Sequence, residues 1–148
     1  MKRYYIAFIC IAIIGAFSCQ KKMSKKSDSS DKIEISINRV IINPQTDLSS
    51  IGAGYIIDSV KLNKDILSIF VNYSGGCKEH IFELYSNGKY AKSLPAQMTL
   101  CLRHTNNDDN CRMLLLREYK FNIAQLKNSN YETIVLNIGD KTINYNFK

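Results

Sequence analysis

The chain has 148 residues, a formal net charge of +7, five cysteines and no tryptophan. That length suits one domain with one core once a polar leading stretch is set aside. The excess charge sits in Lys2 and Arg3 and then in Lys21, Lys22, Lys25, Lys26 and Lys32, opposed only by Asp28 and Asp31. From Ile33 onward the balance is close to neutral, which leaves no basic folded face of the kind nucleic-acid binding uses.

Met1-Lys2-Arg3 is a short basic head, and residues 4–17 form an almost unbroken apolar run ending at Ser18-Cys19, the pattern of an export signal. The run, about 14 residues, is shorter than the roughly 20 a helix needs to cross a bilayer. A small residue directly before a cysteine resembles the bacterial lipobox, in which Cys19 is lipidated on sulfur and becomes the new N-terminus. Ala16 stands where leucine is commonest and Phe17 is bulky, as in the looser boxes of Bacteroidetes lipoproteins. Cys10 competes poorly, because Ile9 is too large for the cleavage pocket. An ordinary secretory signal that happens to carry a cysteine is the alternative. Residues 1–18 are then the signal and residues 19–32 a lipidated cysteine with its tether. The tether has no aromatic or branched aliphatic residue, cannot bury enough to order itself, and has an r.m.s. reach of about 20 Å. Its lysines can brush anionic head groups, and the expected location is the cell envelope, at the outer membrane.

Residues 33–148 read as the folded domain, dominated by period-2 alternation. Ile33, Ile35 and Ile37 alternate with polar residues, and the pattern slips at Arg39-Val40-Ile41-Ile42, where a bulge or strand end is expected. Residues 52–62 form a weaker strand around Tyr55, Ile57 and Val60. Leu67, Ile69, Val71 and Tyr73 share one face of the next strand, which leads into Ser74-Gly75-Gly76. His80, Phe82 and Leu84 lie together on the strand after it, and Asn87-Gly88 predicts a tight hairpin turn. Met98, Leu100, Leu102 and His104 share a face; Cys111, Met113, Leu115, Tyr119 and Phe121 share another. Residues 123–126 suggest one helical turn. Two last strands meet at Gly139-Asp140. Seven or eight short strands at this spacing predict an all-β, antiparallel, immunoglobulin-like β-sandwich with Greek-key connections, with a small barrel as the alternative.

Parity decides which side chains can meet, and it gathers Cys77, His80, His104 and Cys111 at strand ends beside polar loops. One reading is a disulfide between Cys77 and Cys111, the default for paired cysteines in an oxidising compartment, with His80 and His104 as core-edge histidines bonded to backbone or to Glu79, Asp108 and Asp109. Another is a tetrahedral zinc site on Cys77, His80, His104 and Cys111. A copper set of Cys101, His104, Met113 and His80 fails because Cys101 and His104 point to opposite faces of a straight strand. A cysteine nucleophile lacks the helix N-terminus that commonly lowers a thiol pKa. Cys101 reads as a free outer-face or partly covered thiol, with pairing to Cys77 or Cys111 left open. Asp108-Asp109 could attract calcium, against the blander reading of a solvated turn whose residues cap their own backbone.

The stretch Val71-Asn72-Tyr73-Ser74-Gly75-Gly76-Cys77-Lys78-Glu79-His80, followed by Leu102-Arg103-His104 and Asp108-Asp109-Asn110-Cys111, resembles small Bacteroidetes envelope lipoproteins related to the NigD-like C-terminal β-sandwich. The similarity covers roughly residues 55 to 148. It implies a lipid-anchored sandwich without an assigned activity, in which the cysteine and histidine positions correspond and Cys101 is an addition.

The expected function is a non-enzymatic, membrane-anchored lipoprotein that binds an unknown envelope protein or ligand, needs no cofactor and does not bind nucleic acid; a zinc-binding envelope protein is the alternative. The sequence offers no nucleophile elbow, no paired-carboxylate motif with a definable pocket and no Gly-rich phosphate loop.

Overall fold

The computed structural model describes residues 36–49 and 54–147, all of which lie in the unit Ile33–Lys148. The leader, Cys19, the tether and the Ile33/Ile35 alternation lie outside the described residues.

Among the described residues, alternation of apolar and polar side chains produces nine strands: β1 (Ile37–Arg39), β2 (Ile41–Ile42), β3 (Tyr55–Asn63), β4 (Ile66–Gly75), β5 (Ile81–Ser86), β6 (Ala96–Thr105), β7 (Met113–Asn122), β8 (Thr133–Ile138) and β9 (Lys141–Asn146). They form a four-stranded sheet in the order β1-β7-β4-β3 and a five-stranded sheet in the order β2-β5-β6-β8-β9. Leu67, Ile69, Val71 and Phe121 from the first sheet face Leu84, Met98, Leu100, Leu102, Ile134, Leu136 and Tyr145 from the second, and all are buried. Burying an aliphatic or phenyl side chain of this size contributes roughly 1.5–3 kcal/mol, so this layer dominates the stability.

The all-β sandwich matches expectation, while its sheets are mixed rather than antiparallel throughout. Three pairs run parallel: β1 with β7, β2 with β5, and β6 with β8. The chain leaves β6, crosses to the other sheet as β7, and crosses back as β8; two reversals of direction bring β8 alongside β6 pointing the same way. The slip at residues 39–42 is the expected strand end, at Arg39, and it is also a change of sheet, with buried Val40 as the pivot between β1 and β2.

Strand β3 does contain an irregularity, between Ile57 and Ser59, and this explains why its apolar positions lose their parity. The Asn87-Gly88 pair does not form a two-residue hairpin. Gly88 has φ +69°, but β5 and β6 are joined by a longer loop whose Asn43 contact draws Ser86 O toward the β2 segment. The turn expected at residues 123–126 is a 3-10 turn, Ala124–Leu126.

Candidate functional site

Two connections cross between the sheets at one end of the sandwich. Residues 76–80 carry the chain from β4 to β5, and residues 106–112 carry it from β6 to β7. Because β4 pairs with β7 up to Gly75↔Met113 and β5 pairs with β6 up to Ile81↔Thr105, the two crossings lie side by side. Cys77 and Cys111 face each other there with Cα atoms 5.9 Å apart and are joined by a disulfide.

Beneath the disulfide sits Asp109. Asn107 and Asp108 have φ of 51° and 55°, which folds the loop back so that the next carboxylate points inward. Asp109 Oδ2 accepts hydrogen bonds from the backbone N–H of Gly76, Cys77 and Lys78 at 2.8, 2.9 and 2.9 Å, and Oδ1 accepts from Cys111 N–H at 2.9 Å. Successive N–H groups converging on one oxygen form an anion-binding nest. The N–H groups of Cys111 and Lys78, then those of Cys77 and the His80 ring, hold the carboxyl well below the usual carboxylate range. Gly76 makes the nest possible with φ +115°, and Gly75 leaves room for it: a Cβ at position 75 would lie 2.6 Å from His80 Nε2.

The network continues inward. His80 Nε2 lies 3.2 Å from Asp109 Oδ2, with the two side chains 1% and 0% exposed. His80 Nδ1 lies 2.8 Å from His104 Nε2. A carboxylate only accepts, so His80 Nε2–H donates to Asp109, and His80 Nδ1 pairs with His104 Nε2. The His104 ring stacks on Phe82 at 4.4 Å, and Tyr73 packs on His80 at 4.7 Å. Tyr55 reaches across from β3 to donate its hydroxyl to Leu102 O on β6, and burial pushes that phenol up to about 12. A cleft of about 630 Å³, lined by Gly54, Ser74, Thr105, Asn106 and Asn110 among others, opens beside His104.

The disulfide and the core-edge histidines are therefore in place, with His80 bonded to Asp109 and to His104 rather than to Glu79 or Asp108. The four-residue zinc set is not assembled. Its sulfurs are bonded to each other, and among the described residues the group of three whose ligand-type atoms all fall within 4.8 Å of one another is Cys77, Asp109 and Cys111, without either histidine. The calcium reading loses one of its two carboxylates, since the oxygens of Asp109 already accept backbone N–H groups. Cys101 stands outside the disulfide and is buried, and desolvation raises its thiol pKa, the wrong direction for a nucleophile. Of the two sequence expectations for Asp109, a histidine partner and a residue of a solvated turn, the structure shows the first. The signal pointing to Asp109 was the pair of glycines before Cys77, whose exposed run of N–H groups needs an acceptor.

No protein-family model and no curated protein matches the sequence. Among solved structures, a protein of unknown function, DUF1344, from Bacteroides vulgatus is similar at 20% identity with a TM-score of 0.54, over 77% of this chain and 58% of that one. A NigD-like immunity protein from Bacteroides caccae is similar at 13% identity and a TM-score of 0.47, over 73% and 58% of the two chains. A toxin-related protein from Parabacteroides distasonis gives 20% identity and a TM-score of 0.48, over 75% and 60%. The Bacteroides vulgatus structure establishes a shared fold. This chain spans less than two thirds of the length of each neighbour.

Proposed function

We propose that the protein is a lipid-anchored, non-enzymatic binding module of the bacterial cell envelope. The observation that carries this reading is the engagement of the reactive groups at the crossing loops. Cys77 and Cys111 are bonded to each other, Asp109 accepts four backbone N–H groups, and His80 lies between Asp109 and His104. These groups fasten two loops. The signal-like leader ending at Ser18-Cys19 and the lysine-rich stretch after it supply the anchor and the spacer. Two or more acyl chains at about 0.8 kcal/mol per buried methylene make such attachment lasting.

Metabolic labelling with an alkyne fatty acid, followed by membrane fractionation, tests the anchor. The wild-type chain takes up label and sediments with membranes, while Cys19→Ala does neither. An unlabelled wild type, or a labelled Cys19→Ala variant, overturns it.

A further inference from the structure

Among the described residues, the N-terminal half of β7 is an open sheet edge. On one side β7 pairs with β4 without a break from Ile66↔Asn122 to Gly75↔Met113; on the other, β1 covers only residues 120–122. Among the described residues no strand pairs with residues 113–119 on that side. Val40 N–H donates to Asn122 O, so Asn122 turns its backbone groups toward β1. By strand alternation Leu114, Leu116 and Glu118 aim theirs at the open edge. The side chains of Leu114 and Leu116 are also 75% and 56% exposed. An edge that is both unpaired and apolar is a template for another strand.

We propose that the occupant is a second copy of this chain, paired antiparallel through β7 about a twofold axis at Leu115. The inference rests on the binding reading above and names its partner. Only registers that set even-numbered residues against even-numbered residues let the edge N–H and C=O groups meet. Centred on Leu115, Leu114 faces the second copy's Leu116 and Arg112 faces the second copy's Glu118, and the twofold repeats both pairs. Moving the centre to Leu116 sets Arg112 against Lys120 and Leu114 against Glu118; moving it to Leu114 separates the arginine from the glutamate. The favoured register is thus the one that satisfies charge and apolar matching together. One strand pairing buries less than the roughly 1,200 Å² of a stable interface. The dimer is accordingly weak in dilute solution and gains from confinement on a membrane.

Full-length protein carrying one cysteine added to its native five, expressed in cells and run without reductant beside the unmodified chain, reads the register. At the centre, position 115 faces itself as a non-hydrogen-bonded pair about 4.5 Å apart, within bonding range of a disulfide. Leu115→Cys gives a covalent dimer, Leu114→Cys and Leu116→Cys give none alone, and co-expression of those two gives one. Arg112→Glu and Glu118→Arg each lower the yield of the Leu115→Cys dimer by about tenfold, and the two together restore it. Arg112→Glu, at an exposed position, leaves the melting temperature unchanged, which separates lost pairing from lost folding. A monomer throughout overturns the proposal. So does crosslinking at position 116 alone, a disulfide-linked band containing a different protein, or an intrachain bond between Ile35→Cys and Glu118→Cys, the pair that meets if the chain continues the β1 register along this edge. A monomer that still takes up fatty acid refutes only the pairing, and a dimer without label refutes only the anchor.

Discussion

Asp109 holds a negative charge where its side chain meets no solvent, and the charge stays because backbone N–H groups from two loops point at it. Folding lowers its pKa, so it contributes stability in full above the ordinary aspartate value of about 4, and that contribution is lost as pH falls below it. Asp109→Asn keeps the shape and removes the charge. Melting temperatures of the two proteins differ most near about pH 7, with the variant the less stable, and converge in acid, since the remaining titrating groups are shared. At this scale the sequence was legible in part. Parity places Cys77 and Cys111 at neighbouring strand ends, where the sequence offers a disulfide or a metal set, and the structure joins them as the disulfide. The inward turn of Asp109 does not follow from parity, because it depends on left-handed backbone at Asn107 and Asp108, and an Asn-Asn-Asp-Asp-Asn run looks the same whether the fourth residue faces water or a nest.

Elements meet at a second junction, at the other end of the sandwich from the disulfide. Tyr145 on β9 donates its hydroxyl at 2.6 Å to Asp65 Oδ1 in the turn between β3 and β4, and Asp65 also holds Lys127 at 2.8 Å. This ties an edge strand of one sheet to a turn of the other. Tyr145→Phe keeps the ring in the core and deletes the bond, at a cost of about 1.5–3 kcal/mol for a hydrogen bond to a charged acceptor, read from urea unfolding. Strand identity was readable because a half-buried strand writes its two faces alternately. Strand partnership was not: alternation is the same for parallel and antiparallel neighbours, so β6 beside β8 left no trace. The sheet change at Val40 and the irregularity after Ile57 both appear in sequence as broken parity, though one moves the chain to the other sheet and the other shifts register within a strand pair.

For the whole molecule, the crossing loops are fastened twice, by a covalent bond and by a carboxylate. The disulfide spans a sequence separation of 34 residues. Constraining the unfolded chain over that distance is worth roughly 4 kcal/mol in the chain-entropy model. Cys77→Ser/Cys111→Ser therefore unfolds at lower denaturant by about that amount, and its folded state keeps slow hydrogen exchange at the N–H groups of Gly76, Cys77 and Lys78, where Asp109 still accepts. Fast exchange there in the folded variant refutes the independence of the two fastenings.

The short hold of β1 and β2 has a mechanical meaning. A pull from the N-terminal end reaches the domain through Ile37, and both segments run parallel to their neighbours, so the load slides them lengthwise and strains their few hydrogen bonds together. Those bonds rupture first. The sulfur bridge lies farther along the chain and bears none of that force, so the domain answers tension like a fuse: a small flap releases, and the main body between the two sheets stays whole.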